Sequence, residues 1–469
     1  MKAGIRTDDA VAWTSGELLQ GGTDARFAGV AIDTRTLEGG ELFVAIRGPT
    51  HDAHAFLERA LEAGAKGLLV ERGAALPTCP ADLPVLAVDD TTRALGALAA
   101  GHRSRFEGPV IAITGSSGKT TTKEMCASIL GAHTPCLKTR GNLNNHYGLP
   151  LTLLRIGSEH RRAVVELGMN HRGEIAALAA IARPSVGLVT NIGTAHIEFL
   201  GSREALAEEK GDLFAALGIE DTAVVNRDDP RVAEQATRAP GRVLGYGLEN
   251  AAEVRAENVR FLEEGAFAFV LITPHGDKLP LRVSGIGDTT VINALAATAA
   301  ALAAGASLDE VATGLSRYRP VGGRMTRRQL ADGTTLIDDT YNANPQSMRA
   351  SLESLKRLAT AGRSLAVLGD MGELGETAGE AHRSTGRLVA ELGIDFLYTL
   401  GSHARALAEG AREAGMRADR VREAGEPEEL AASVREQLAR GTRDWVLVKG
   451  SRAMRMERVV ELLAAAERA

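Results

Sequence analysis

The apolar run Val110-Ile111-Ala112-Ile113 leads straight into Thr114-Gly115-Ser116-Ser117-Gly118-Lys119-Thr120-Thr121-Thr122. A strand therefore feeds a glycine-bearing turn that starts a helix. Glycines let backbone N–H groups converge on phosphate oxygens, the helix N-terminus adds positive potential, Lys119 reaches terminal phosphates, and the Thr120 hydroxyl can ligate magnesium. This is the chemistry of a nucleoside triphosphate site, built from Gly115, Ser116, Ser117, Gly118, Lys119, Thr120 and Thr121. The leading glycine of the pattern GxxxxGK[ST] would fall at position 113, where the chain has Ile113. A shortened loop is the expectation. The plainer alternative, a chance glycine turn, is disfavoured because Gly118-Lys119-Thr120 and both flanking elements agree.

Two further groups stand where they can meet this loop. Glu166 ends the strand around Ala163-Val164-Val165, and His196 follows the strand Val186–Thr190. In a parallel sheet both lie at the carboxyl edge, beside the loop. Glu166 supplies the hard oxygen that magnesium prefers; His196 alone reads as readily as a hydrogen-bonded structural histidine. Lys210, in Glu208-Glu209-Lys210-Gly211-Asp212, reads on spacing alone as part of an exposed charged helix face. The chain nevertheless uses only nine lysines among its 54 basic residues, so a retained lysine calls for a reason.

The positioning elements come in three stretches, as a length of 469 residues allows. Residues 1–88 read as a small α/β unit with strands at Val30-Ala31-Ile32, Leu42–Ile46 and Val85–Val88, and an alanine-rich helix from His54 to Ala63. Residues 89–320 alternate strand and helix, implying a mostly parallel sheet. The alternating segments of 254–283 form an antiparallel edge. Residues 321–469 repeat the rhythm, with strands at Leu336-Ile337, Leu365–Leu368, Phe396–Leu400 and Trp445–Val448. The fold class is α/β in three domains. Hydrophobic residues at 44% and charged residues at 24% are globular values, and a net charge of -6 gives no basic field for nucleic acid. Three cysteines without CxxC spacing fit a reducing cytoplasm, and no apolar run long enough for a membrane span or secretion signal is seen, Met1–Thr7 included.

Beyond the loop, five segments carry a resemblance: Gly141-Asn142-Leu143-Asn144-Asn145, Glu166-Leu167-Gly168-Met169-Asn170-His171, Asp338-Asp339-Thr340-Tyr341-Asn342-Ala343-Asn344-Pro345, Gly369-Asp370-Met371-Gly372-Glu373-Leu374-Gly375 and Lys449-Gly450-Ser451-Arg452. With TGSSGKT, a loop also similar to that of folylpolyglutamate synthases, they resemble the Mur ligases of peptidoglycan precursor synthesis, and among these the type that adds a dipeptide. The resemblance implies a UDP-precursor domain, a central ATPase and a Rossmann-like C-terminal domain that closes over the nucleotide. It implies ATP and Mg2+ as cofactors, and UDP-N-acetylmuramoyl-tripeptide and D-alanyl-D-alanine as partners of a monomer. By the same resemblance Thr120, Glu166, His196 and a carbamylated Lys210 hold metal, while Asn293 sits at the adenine, although Gly287-Asp288-Thr289-Thr290 stands where the family usually has GxHN. Arg324 serves the phosphates and Asp338 or Asp339 the ribose; a surface arginine and a helix cap are the alternatives from residue type. Thr34 and Arg35, with His51-Asp52-Ala53-His54, resemble UDP-binding segments, and Asn142, Asn144 and Asn145 offer amides to a sugar-peptide substrate. A P-loop switch that hydrolyses nucleotide without forming a bond is the reading from another class.

Overall fold

The computed structural model describes residues 4–48, 50–438 and 443–465; the first three residues of the Met1–Thr7 stretch lie outside them. Three larger sheets follow one another along the chain. The first has five strands in the order Glu17–Gln20, Val85–Val88, Gly67–Glu71, Leu42–Val44, Val30–Ala31, parallel except for Glu17–Gln20. The expected alanine-rich helix is shorter. It begins as a 3-10 turn over Ala53–Phe56, where Asp52 accepts from His54 N, and only Leu57–Glu62 is α-helical. The strands Glu17–Gln20 and Gly67–Glu71 and the helix Thr7–Thr14 were not legible in the pattern.

The central sheet has nine strands. Seven neighbouring strands are mutually parallel, six of them in the order Arg242–Gly247, Thr222–Asn226, Val186–Val189, Val110–Thr114, Arg162–Glu166 and Cys136–Lys138. Val254–Leu262 pairs parallel with Arg242–Gly247, and Ala266–Ile272 and Lys278–Ser284 complete an antiparallel edge. Val110–Thr114 is buried on both faces: Val110 and Ala112 enter one core cluster, Ile111 and Ile113 the other. Ile113 is thus a core residue of the strand, and the loop proper spans only 115–118 before the helix Lys119–Leu130. The register sets Glu166 opposite Ile113 and Val189 opposite Thr114, so the carboxyl ends of three neighbouring strands converge at the loop.

The third sheet orders Thr326–Gln329, Thr335–Asp339, Trp445–Lys449, Ser364–Gly369, Phe396–Leu400 and Val421–Ala424, all parallel but the first. Helices cover both faces: Ile337 and Leu447 belong to one cluster, Leu336 and Val446 to the other. Among the described residues no helix is long and apolar enough to cross a membrane.

The helix Thr91–Arg103 joins the first two sheets. Asp90 caps it, its Oδ1 accepting from Thr92 N at 2.8 Å and Arg93 N at 2.9 Å. Removing such a cap costs about 1 kcal/mol, so Asp90→Ala is expected to lower unfolding free energy by about that much in a denaturant titration, with the slope unchanged.

Candidate active site

Gly115 and Gly118 are the two loop positions that need glycine. Their φ values are +142° and +79°, and an added Cβ would stand 1.9 Å from Thr190 Oγ1 and 2.7 Å from Asn293 Oδ1 respectively. The loop is gripped from the neighbouring strand: Ser116 N donates to Asn191 O at 3.0 Å, Ser117 N to Asn191 Oδ1 at 3.0 Å, and Gly193 N to Ser116 Oγ at 2.7 Å. Two of the backbone donors expected for phosphate are therefore occupied by Asn191. The first turn of Lys119–Leu130 carries no side-chain cap, which leaves its own N–H groups as the anion donors. Thr121 is half-buried there and borders the cavity.

Lys119 is the first residue of that helix, half-buried, with Nζ donating to Gly115 O at 2.7 Å. Burial pulls its pKa below the ordinary lysine value; Glu166 opposes this and Arg324 reinforces it. Glu166 is 3% exposed and fully engaged. Oε2 accepts from Thr120 Oγ1 and Oε1 from Asn144 Nδ2, both at 2.9 Å. Thr120 Oγ1 in turn accepts from Arg324 Nη2 at 2.8 Å, and the Arg324 guanidinium lies 3.9 Å from the centre of the Tyr341 ring. Arg324 is not a surface arginine. It carries the third sheet's segment directly onto the phosphate loop.

A cavity of about 760 Å³ opens over these groups, lined by Lys119, Glu166, His196 and Asn293 from the central unit and Arg324 and Asp339 from the C-terminal one. Asp339 and Asp338 separate cleanly. Asp339 is buried, accepts from Ser351 Oγ at 2.7 Å and from Lys449 Nζ at 2.5 Å, and borders the cavity. Asp338 instead accepts from Thr340 Oγ1 at 2.7 Å and is not part of the lining. Neither aspartate caps the following helix: Asn344 does, with Pro345 in the first turn. Asn293 lies against Gly118 and Thr122. The preceding Asp288 is paired to Arg357 Nε at 2.5 Å, and its N–H donates to Ser354 Oγ, so this segment is tied to the helix Pro345–Leu358 of the C-terminal unit.

Lys210 departs most from its spacing. It is 1% exposed on the buried side of the helix Arg203–Ala215, and burial together with the neighbouring Lys119 charge pulls its pKa down to about 7. His196 borders the cavity, with Nδ1 2.6 Å from Glu373 Oε2. Among the described residues no three His, Cys, Asp or Glu side chains group as a metal site. A lone buried carboxylate beside a hydroxyl at a phosphate loop is nevertheless what Mg2+ uses when phosphates supply its other oxygens.

Asn142 and Asn145 also border the cavity, Asn145 Oδ1 accepting from Tyr147 N and Gly148 N. Thr34 and Arg35 do not join it. They form an exposed 3-10 turn in the first unit, where the Arg35 guanidinium 2.6 Å from Asp33 pulls that carboxyl down to about 2. His54 is structural, its Nε2 accepting from Glu71 N. Sequence reasoning missed Asn191, Lys123 and the pairing of Glu373. Lys123 is fully buried, donates to Thr139 O at 2.8 Å and stands 3.8 Å from Glu166; only its being one of few lysines signalled it.

A glycine loop on a parallel strand, opening to a cavity closed by a second α/β unit, defines a phosphate-loop nucleotide-binding protein. The chain belongs to the Mur ligase family: residues 26–103 match the family's catalytic domain, 113–301 the Mur ligase middle domain and 323–452 the Mur ligase glutamate ligase domain. It is 36% identical over 433 residues to a Bacillus subtilis (strain 168) protein named UDP-N-acetylmuramoyl-tripeptide–D-alanyl-D-alanine ligase, with 92% of each chain covered. Among solved structures it is similar to MurF from Acinetobacter baumannii, with a TM-score of 0.89, 34% identity and 98% and 99% of the two chains covered. It is also similar to a MurF ligase from Thermotoga maritima solved in complex with ADP, with a TM-score of 0.82, 30% identity and coverage of 94% and 98%.

Proposed function

We propose that this chain is an ATP-dependent ligase that joins D-alanyl-D-alanine to a UDP-N-acetylmuramoyl-tripeptide in the cytoplasm. The observation that carries the reading is the continuous line Glu166–Thr120–Arg324, which brings two α/β units onto one phosphate loop beside a cavity large enough for more than a nucleotide. Relatives with this name align along nearly the whole chain. In this reading residues 1–88 hold the UDP end, 89–320 the ATP, and 321–469 close over it, with Asp339 in place of Asp338 as the acid facing the nucleotide.

A carboxylate does not acylate an amine because its leaving group is poor. The terminal carboxylate oxygen of the tripeptide attacks the γ-phosphorus of ATP, the bond to the β-phosphate oxygen breaks, and ADP leaves. The dipeptide amine, as the free base, then attacks the acyl carbon, the bond from that carbon to the phosphate oxygen breaks, inorganic phosphate departs, and the proton shed by nitrogen passes to solvent as the amide forms. Lys119, Arg324 and the first-turn N–H groups offset charge that grows on the transferring phosphoryl oxygens. Glu166 and Thr120, with His196 and the arm of a carbamylated Lys210, would hold Mg2+, which when bound supplies Lewis-acid stabilisation of the phosphates. Asn142, Asn144 and Asn145 orient the acceptor end, and positioning supplies much of the rate.

Phosphate release measured against each substrate alone and all three together tests the reading. Release that requires both the UDP-tripeptide and the dipeptide is expected, whereas nucleotide hydrolysis indifferent to them would return the P-loop switch. Glu166→Ala should lower metal-dependent turnover by roughly 10²-fold or more, a loss that extra ATP does not restore. Full recovery at high ATP would make Glu166 a nucleotide-binding accessory.

A further inference from the structure

The contact between His196 and Glu373 is unusual on both sides. His196 has φ +67° and Glu373 φ +59°, a left-handed backbone that residues with a Cβ adopt sparingly and that persists where the surrounding structure enforces it. One residue follows a strand of the central sheet; the other follows the strand Ser364–Gly369 of the C-terminal sheet. Their side chains meet with Nδ1 2.6 Å from Oε2, and Glu198 N donates to Glu373 O. A conformation disfavoured twice, in two different units and at one point of contact, is a built feature.

What enforces it on the C-terminal side is visible. Met371 N donates to Nε2 of His382, and His382 Nδ1 engages Ala378 O at 2.6 Å. His382 is fully buried and stacked on His403 at 4.4 Å. Asp370 O accepts from Ser451 N, and the Asp370 carboxylate accepts from Ser402 N and His403 N. Met371 and Leu374 are both core residues. The loop is therefore pinned on both sides of Glu373, whose side chain projects toward the other unit.

We infer that Glu373 is a positioning residue: across the cleft it fixes the imidazole of His196 in the orientation that presents Nε2 to the cavity. With Oε2 standing 2.6 Å from Nδ1, the carboxylate occupies that edge of the ring and leaves the Nε2 edge to the cavity, as outer carboxylates orient histidine ligands. The metal-facing end of His196 is then set only when the C-terminal unit is docked. This rests on the metal role given to His196 above.

The test uses the full chain, Mn2+ as the probe and a non-hydrolysable ATP analogue, with free Mn2+ read by electron paramagnetic resonance. Glu373→Ala is expected to weaken Mn2+ retention about 10-fold. Glu373→Gln, which keeps the side chain's shape and a side-chain oxygen, should hold retention within about threefold of the parent. Glu376→Ala, an exposed change in the same loop, should leave it unaltered, and melting curves check that each variant is folded. His196→Ala should lose as much as Glu373→Ala, and the double variant no more than either. Parental retention in Glu373→Ala beside a loss in His196→Ala overturns the inference alone, as do losses that multiply in the double variant. Parental retention in His196→Ala overturns the metal role itself, and the inference with it.

Discussion

Lys119→Ala is expected to lower ligation by about 10³-fold, the upper range for removing one preorganised group facing developing charge, with little change in thermal unfolding. The ammonium sits at the first turn of its helix, where burial already depresses its pKa and Arg324 adds a second cation. No core cluster includes it. Its loss should also reach Lys210, because the Lys119 charge is one of the two causes lowering that amine's pKa. Removing it moves the Lys210 pKa upward and reduces the neutral amine at pH 7. Single-turnover phosphate transfer on the purified variant measures the first effect. Turnover within a few-fold of the parent would remove the loop from the chemistry.

The second large effect is at Lys210. With its pKa pulled down to about 7, this side chain has the free amine accessible at neutral pH, the form that can add carbon dioxide and become a carboxylate-bearing arm. Arginine has no accessible neutral form. Burial makes the arginine replacement more severe than an exposed helix face would: a larger, permanently charged group would enter a site that is 1% exposed and already beside a cation. Lys210→Arg should therefore lose stability along with about 10²–10³-fold of activity. Lys210→Ala is the cleaner variant, and a small added carboxylate should restore part of its rate. A carbamate carbon signal from the parent protein in labelled bicarbonate, absent from Lys210→Ala, provides a reading independent of turnover; no such signal would leave the lysine uncarbamylated. The sign of the pH effect on stability follows from the lowered pKa. The folded chain binds fewer protons than the unfolded one between about 7 and the ordinary lysine value of 10.5, so this group's contribution rises with pH across that window.

How much of this was legible in the sequence depends on the range of the contacts. The loop, its strand and its helix are contiguous, and the parallel strands at 110–113, 163–165, 186–190 and 223–225 announce themselves as apolar runs, whereas the short edge strand Cys136–Lys138 does not. Glu166 and His196 could be placed at the right sheet edge because strand direction alone decides it. The burial of Lys210 could not, since Glu208, Glu209 and Asp212 around it carry the pattern of a solvated face, and only the packing of Arg203–Ala215 turns the lysine inward. Asn191 and Glu373 lie far along the chain from the residues they hold, and no spacing rule connects them. Which of Asp338 and Asp339 faces the cavity depends on which way the end of a strand points: Asp339 turns to the cavity and Lys449, Asp338 to Thr340. The turn at Thr34 and Arg35 forms where the sequence placed it, but the Arg35 charge is offset by Asp33.

The core clusters divide the chain differently from its sheets. Ile5, Phe27, Leu42 and Leu69 of the first unit share one cluster with Leu95 and Leu98 of the joining helix and with Val110, Ala112 and Val165 of the central sheet. The C-terminal unit has two clusters of its own, into which Ile286 is the one fully buried residue contributed from outside. Heat should therefore dissolve the molecule as two cooperative blocks, not three, and a calorimetric trace of the free chain is not described by one melting temperature. A compound spanning the cleft binds only while both blocks are folded, so by mass action it draws the two transitions together. The separation between them then reports occupancy of the cleft without any assay of turnover.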